Sequence, residues 1–458
     1  MERDLTATDC PGCCALQGQV ERLEEQVREL KQRLEQAERA GKRQTVRFGR
    51  RKRVAQPKKP GRRRGHAATL RERTAPPDQV VEAPVDLCPD CRVPLQEVKT
   101  HRQFQTDLPP VRPKVTQFNI QVGTCPCCGK RVQGRHPEQT SDALGAARET
   151  LGPNVHALAS TLKYGAGVAW AKISRFVGEF FGLSVAPSTF VRAGHRLARK
   201  AQPTWQELRR KLRRSDRVHG DETGWRIGTA SAWLWVFAND AITLFDIDPG
   251  RGHPVIRRML GDDFGGVLAS DGFCAYDVPA YVKLRCNGHV LRRIAGLKET
   301  LKAPVDHFWL EKVETLFRES AHLRARHEAL TDGGYWRRVR EIENRFDHWL
   351  SLNRTHGHED LRRLARHLAD HRHEWFLYLY NPELPTTNNL AERQIRPGVI
   401  TRKVGGCNKT PRGAFATKTF ASLLATCRQQ NRSYRALLTQ LLHARAPTSI
   451  PLPALPTT

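Results

Sequence analysis

The sequence predicts an α/β core interrupted by an all-α insertion, with a coiled coil, a small zinc ribbon and a helical region ahead of it. Three observations predict this. From Arg217 onward short apolar runs of period two follow one another (RVHGDET, SAWLWVFAND, AITLFDID), then a helix-like GHPVIRRMLG and a strand-like GGVLASDGF. Between Arg292 and Pro382 the apolar spacing is helical almost throughout. The first 135 residues instead carry a heptad, a basic run and two Cys-x-x-Cys pairs.

The chain of 458 residues is long enough for two to four domains, and its 39% apolar content suffices for real cores. Its net charge of +29, from 76 Lys+Arg against 47 Asp+Glu, favours a polyanionic partner through phosphate neutralisation and counterion release. Neither a signal peptide nor an uncharged apolar run of bilayer length is present in the sequence, so no membrane role is expected. The twelve cysteines are clustered, which reads as metal binding in a cytosolic protein rather than a disulfide framework.

Residues 1–41 form the expected coiled coil. Leu16, Leu23, Leu30 and Ala37 take one seam position and Val20, Val27 and Leu34 the other, which implies self-association through residues 16–37. A lone helix docked on the protein's own core is the alternative. Cys10, Cys13 and Cys14 lack a visible fourth ligand and are read as non-metal.

Residues 42–74 are a basic arm, expected to be extended when free. Twelve Lys/Arg and no acid lie between Lys42 and Arg64. Arg50, Arg51, Lys52, Arg53, Lys58, Lys59, Arg62, Arg63 and Arg64 are its candidate phosphate contacts, as an arm along the backbone or in the minor groove. A solvated linker is the alternative.

Residues 75–135 hold CPDC, with Cys88 and Cys91, and CPCCGK, with Cys125 and Cys128, separated by the 33 residues 92–124. Four thiolates in two such knuckles suit structural Zn²⁺, and VTQFNIQVGT between them reads as a strand. Cys127 is an extra thiol in the second knuckle. Residues 136–204 read as helices, and KISRFVGEFFGLSVAPSTFVRAG has helix–turn–helix logic, with Gly182 at the stop and Pro187 opening the second helix. A plain helical hairpin is the alternative.

Residues 205–291 and 385–436 make up the core. Its strands, with KLRCNGH as a fifth, resemble the ribonuclease H-like fold. Asp221 in HGDETGW lies on the first strand and Asp271 in SDGF just past the fourth, as neighbours at the strands' ends able to share a cation. Asp221 and Glu222 point to opposite faces, and Asp221 is taken as the one facing the site. Asp271 also fits a turn residue before Gly272. Glu392, in TTNNLAERQIR, also fits a capping box with Asn389 as the cap. Residues 292–384 are the helical insertion, with Leu310, Val313, Leu316, Phe317 and Leu323 on one stripe, and residues 437–458 the C-terminal tail, whose Pro-rich APTSIPLPALPTT is expected to be disordered.

HGDETGW, SDGF and NNLAERQIRP, preceded by the heptad, the basic arm and the two-knuckle segment, resemble the insertion-sequence family 66 transposases over nearly the whole chain. The late segment TRKVGGCNKTPRGAFATKTFASLLATCRQQN resembles that family's region after its glutamate. The resemblance implies a prokaryotic, nucleoid-associated DDE transposase. Its implied triad is Asp221, Asp271 and Glu392, holding two Mg²⁺ (or Mn²⁺) ions that clamp the attacking and leaving oxygens of an in-line displacement. The chain departs from the family pattern in CNGHVLRR, where Cys286 and His289 are kept and the tryptophan is not, and in GGCNKT, which replaces a Trp-Leu-Phe-like stretch. His289, Arg292 and Arg293, with Arg393 and Arg396 beside the glutamate, are the candidate DNA contacts of the core. Implied partners are the terminal repeats of the element, target DNA, a second protomer and accessory proteins of the same element. Two rival functions are an inactive, transposase-derived DNA-binding regulator and a simple metal-dependent nuclease.

Overall fold

The structure is a computed structural model that describes residues 19–20, 22–27, 30, 76–108, 111–144, 150–278 and 280–455. The basic arm from Arg50 to Arg64 and Cys10, Cys13 and Cys14 lie outside the described residues. So does most of the heptad, whose described residues between 19 and 30 are helical. The chain divides into two units, Val46–Lys114 and Met1–Thr45 with Val115–Thr458.

In the described part of Val46–Lys114 the backbone is almost wholly exposed and forms no strand or helix. Its ordered feature is a tight knuckle at Cys88, closed by a bridge between Leu87 and Pro94.

The larger unit opens with a short hairpin, β1 (Val122–Thr124) against β2 (Arg131–Gln133). The strand expected across VTQFNIQVGT is thus only its last three residues, since β2 offers three to pair with. Three helices follow: α1 (Pro153–Ser160), continued by a π-helical turn at Thr161–Gly165, α2 (Trp170–Phe181) and α3 (Pro187–Arg213). Gly182 ends α2 in the left-handed conformation at φ 67°, and Pro187 opens α3 at its first turn, where a missing N–H costs nothing. The helix α3 runs unbroken through the boundary expected at residue 204. Its Leu197, Ala201, Trp205, Leu208 and Leu212 are buried in the main core.

That core is built on a five-stranded sheet of order β5-β4-β3-β6-β7. The strands are β3 (Arg217–Ile227), β4 (Ala230–Ala238), β5 (Thr243–Asp248), β6 (Val267–Ser270) and β7 (Val282–Arg285), with α4 (His253–Leu260) between β5 and β6. β3, β4 and β5 are an antiparallel meander, whereas β6 and β7 run parallel to β3. Alternation divides the sheet's side chains. Trp235, Phe237, Leu244 and Leu268 join α3 and α4 on one face, and Trp225, Leu234, Val236 and Phe245 join α10 (Asn389–Gly405) on the other. Asp221 therefore lies within β3, six residues before its end at Ile227, rather than at a strand end. The fifth expected strand stops at Arg285, because Asn287 already begins a helix.

The insertion is helical as expected: α5 (Asn287–Thr300), α6 (Pro304–Ala325), α7 (Asp332–Asn353), α8 (Glu359–Asp370) and α9 (Leu377–Tyr380). Leu310, Val313, Leu316, Phe317 and Leu323 are all buried in a second core that also takes in Ala269 of β6 and Leu284 of β7. After α10 the chain returns as α11 (Pro411–Gln429), which lies on the outer edge of β5. Ser422 Oγ accepts the Phe245 N–H at 2.8 Å, and Thr426 Oγ1 accepts the Thr243 N–H at 3.1 Å while donating to its carbonyl at 2.9 Å. An edge strand's free backbone groups are thereby satisfied by hydroxyls.

Leu437, Leu438, Leu441 and Leu442 of α12 (Tyr434–His443) are buried in the main core. The disorder expected from Ala446 onward is corrected for residues 446–455: the Ile450 N–H donates to Thr204 Oγ1 at 2.9 Å and the Ser433 N–H to the Pro453 carbonyl at 2.9 Å. Prolines that read as disorder here suit an extended segment that needs few backbone donors. No helix among the described residues is long and apolar enough to cross a membrane.

Candidate active site

Along β3 one face carries His219, Asp221, Thr223 and Trp225, and His219, Thr223 and Trp225 each meet the α10 region. His219 Nδ1 lies 3.0 Å from Asn388 Oδ1, Arg402 donates to Thr223 Oγ1 at 3.2 Å, and Trp225 Nε1 donates to Asn408 Oδ1 at 2.9 Å. Glu222 points to the opposite face, into the main core, as alternation requires. Asp271 follows the last residue of β6, and its Oδ1 accepts the Phe273 N–H at 2.9 Å, which holds the SDGF turn. Glu392 sits in the first turn of α10.

Asp221 interacts electrostatically with both Asp271 and Glu392. The Asp221 carboxyl is pushed up to about 8, first by burial and then by the charges of Glu222, Asp271 and Glu392. His289 feels both Asp271 and Glu392, although burial and Arg292 hold its pKa below the ordinary value. Arg292 Nη2 donates to Glu392 Oε1 at 3.0 Å, and His289 Nδ1 is 3.8 Å from the same oxygen. The Cys286 Sγ, a His289 ring nitrogen and a Glu392 oxygen lie within 4.8 Å of one another. The oxygen donors suit a hard divalent cation, and both the raised Asp221 carboxyl and the Arg292 cation on Glu392 mark a site that calls for positive charge.

The capping-box alternative for Glu392 fails on geometry. The helix begins one residue earlier, with Asn388 as its cap, and the Glu392 carboxylate goes to Arg292. The Asn388 side chain is itself spent on β3, donating to the Gly220 carbonyl at 2.7 Å. Its N–H donates to Cys286 Sγ at 3.1 Å. Asn388 thus ties α10 to β3 and to the start of α5 one turn before Glu392. In the sequence only the Asn-Asn doublet hints at Asn388 rather than Asn389.

The structure does not bring every candidate contact to the carboxylates. Arg293 is exposed and its charge partner is Asp360 of α8. Arg393 and Arg396 are exposed on α10.

Residues missed in the sequence support the site from behind. Glu222 accepts two bonds from Arg251, at 3.0 and 2.6 Å, and one from the Tyr276 hydroxyl at 2.8 Å. The Arg251 guanidinium lies over Trp233 and Phe273, 4.3 and 3.7 Å from the ring centroids. Phe273 of the turn that carries Asp271, and Tyr276 just after it, are thereby fixed to β3. Gly220 permits this, since a Cβ there would lie 2.7 Å from the Tyr276 ring. Nearby, Asp277, His371 and Glu374 could be taken for a metal cluster. The buried Arg285 already bonds all three, with Nε on Glu374 at 2.6 Å and Nη2 on Asp277 and on His371 at 2.9 Å.

Away from these carboxylates, the two cysteine knuckles share one hydrogen-bond scheme. The Cys88 N–H donates to the Val93 carbonyl and Arg92 N–H to Cys88; equally the Cys125 N–H donates to Lys130 and Gly129 N–H to Cys125. Arg92 and Gly129 both have positive φ, 56° and 68°. The Cys88 thiol is lowered by N–H groups of Cys91 and Asp90, and the Cys125 thiol by those of Cys128 and Cys127. Cys127 thus occupies the place of Asp90, and Cys128 that of Cys91.

Residues 148–416 match the family described as Transposase IS66 family. The protein y4qI of Sinorhizobium fredii, itself uncharacterized, is 23% identical over 342 residues, 64% of this chain and 61% of its own length. A second uncharacterized protein of the same organism, y4jO, is 32% identical over 114 residues, 25% of this chain and 35% of its own. The chain thus spans less than two thirds of the length of either curated relative.

Proposed function

The chain belongs to the IS66 family of transposases, and from that premise we propose that it is a DDE-type DNA transposase with a ribonuclease H-like core. It would nick DNA at the ends of its insertion sequence and join the freed 3′-ends to target DNA. What supports the reading is that Asp221 on β3, Asp271 just past the adjacent parallel strand β6 and Glu392 in the first turn of α10 lie where Asp221 feels the charges of the other two. When bound by these carboxylates, two Mg²⁺ or Mn²⁺ ions would supply activation of the attacking oxygen and stabilisation of the leaving one. The protein's own part is to hold the three carboxylates in place through the β3–β6 register, the Asn388 tie and the Glu222–Arg251–Tyr276 support. Arg292 would neutralise a phosphate beside Glu392, with His289 next to it as a hydrogen-bonding group.

DNA affinity would come from the basic arm Arg50–Arg64 and from exposed Arg293, Arg393 and Arg396, and end recognition from the knuckle segment and the α2–α3 pair. The shared geometry of the two knuckles supports structural Zn²⁺ on Cys88, Cys91, Cys125 and Cys128. Self-association through residues 16–37 would hold two ends together.

The test is a joining assay with purified protein, Mg²⁺ or Mn²⁺, labelled DNA carrying the element's ends and a plasmid target, beside Asp271→Asn protein. Joined product that vanishes with Asp271→Asn supports the transposase. Cutting without joining supports the simple nuclease, and specific binding with neither supports the DNA-binding regulator.

A further inference from the structure

A cavity of about 300 Å³ opens on the same sheet face as Asp221, between the sheet, α10, α11 and the π-helical turn. Its floor is apolar and aromatic, with Trp225, Leu234 and Phe245 from three neighbouring strands. The surrounding polar groups differ from one another. The amides of Asn408 and Gln429 are engaged with Trp225, Thr417, Thr243 and Asn239. Gln394, Thr401, Lys163 and Arg428 make no side-chain hydrogen bond or ion pair among the described residues, and no carboxylate lines the cavity. Lys163 comes from the π-helical turn, a distortion that often marks functional sites. The two walls are pinned together beside the cavity where Gly405 meets Gly167; a Cβ at Gly405 would lie 2.2 Å from the Gly167 carbonyl oxygen.

An occupant must satisfy three conditions at once. It must offer a flat apolar body for the aromatic floor, a polar edge for Gln394 and Thr401, and negative charge for Lys163 and Arg428. A nucleotide does so, with its base in the cavity and its phosphates at the rim. Trp225 lies four residues beyond Asp221 on β3, roughly 13 Å at about 3.3 Å per residue. That is the length of about four base steps. We propose that this cavity receives a single unstacked base of the bound DNA, a few nucleotides from the phosphate held at the carboxylates, with Lys163 and Arg428 on the flanking phosphates. The proposal rests on the DNA-transposase reading and adds to it a nucleotide subsite distinct from the carboxylates.

The test uses the full chain without divalent metal and two labelled duplexes of one sequence, one of them carrying a single extrahelical 2-aminopurine. Roughly tenfold tighter binding of the bulged duplex is expected, with a change in 2-aminopurine emission. Ala425→Trp, which fills the cavity, and Arg428→Gln, at an exposed rim position, should each remove the preference and retain most of the affinity for the plain duplex. Equal affinity for the two duplexes with unchanged emission overturns the base subsite and leaves the DNA reading standing. Failure to bind either duplex overturns both. Loss of the preference on adding millimolar deoxyadenosine monophosphate, with the wild-type protein's emission on the bulged duplex unaltered throughout, would assign the cavity to a free nucleotide and overturn the DNA-base proposal.

Discussion

Asp221 and Asp271 each stand two residues beyond the last paired rung between β3 and β6, the one formed by His219 and Ala269. Their alignment is therefore set by backbone pairing and needs no contact between the carboxylates themselves. Asp221→Asn and Asp271→Asn should leave the circular dichroism spectrum and DNA affinity in place while lowering metal-dependent nicking by more than about 10³-fold. Loss of folding in either variant would contradict a backbone-set register.

The raised Asp221 carboxyl makes metal-free stability fall as pH rises. Between the ordinary value of 3.8 and about 8 the folded protein keeps a proton that the unfolded chain has released. The slope is at most about 1.4 kcal/mol per pH unit and flattens above about pH 8. Thermal melts from pH 5 to 9 with a chelator should show this decline, and Asp221→Asn should weaken it. Mg²⁺ should raise the melting temperature more at pH 8 than at pH 5.5, because it must displace the proton at the lower pH.

Arg292 sits on Glu392 as a cation. Its removal leaves the carboxylate freer for a divalent ion. Arg292→Ala should tighten Mn²⁺ binding by several-fold in calorimetry and weaken binding of end DNA. Unchanged metal affinity would show that the ion pair opens at no cost.

Glu222 and Arg251 support the Asp271 turn from the far face of the sheet. The Glu222 side chain is buried, so Arg251→Ala leaves a carboxylate without its cation and should cost about 3 kcal/mol in denaturant melts. Glu222→Gln should cost less and still lower the nicking rate at saturating Mg²⁺. Equal nicking rates for Glu222→Gln and wild type would confine the pair to stability.

The common knuckle scheme assigns different fates to two adjacent thiols. Cys127→Ser should keep the zinc content of the wild type, measured by atomic emission on purified protein, whereas Cys128→Ser should lower it. Equal loss from both would overturn the assignment of Cys127 to the Asp90 position.

The strands, and the places of Asp221 on β3 and Asp271 just past β6, were legible because period-two runs and short turns are local signals. The same holds for the insertion, whose apolar stripe at Leu310 to Leu323 is a helical period. What escaped was tertiary. Nothing in TTNN tells which asparagine bonds to the Gly220 carbonyl, and Arg251 in PGRGH reads as a loop cation until Glu222, Trp233 and Phe273 surround it. The tail from Ala446 looked disordered because its partner, Thr204, lies 246 residues before Ile450. The strand expected at Val115 was cut short because β2 has only three residues to offer it.

The edge strand β5 has its backbone completed by Ser422 and Thr426, which the ribosome delivers after Asp221, Asp271 and Glu392 have all been made. A nascent or truncated chain that ends before α11 therefore carries the full set of acids on a sheet whose edge is open to other strands. Such a fragment would present that edge to other chains, so self-association through β5 competes with its folding.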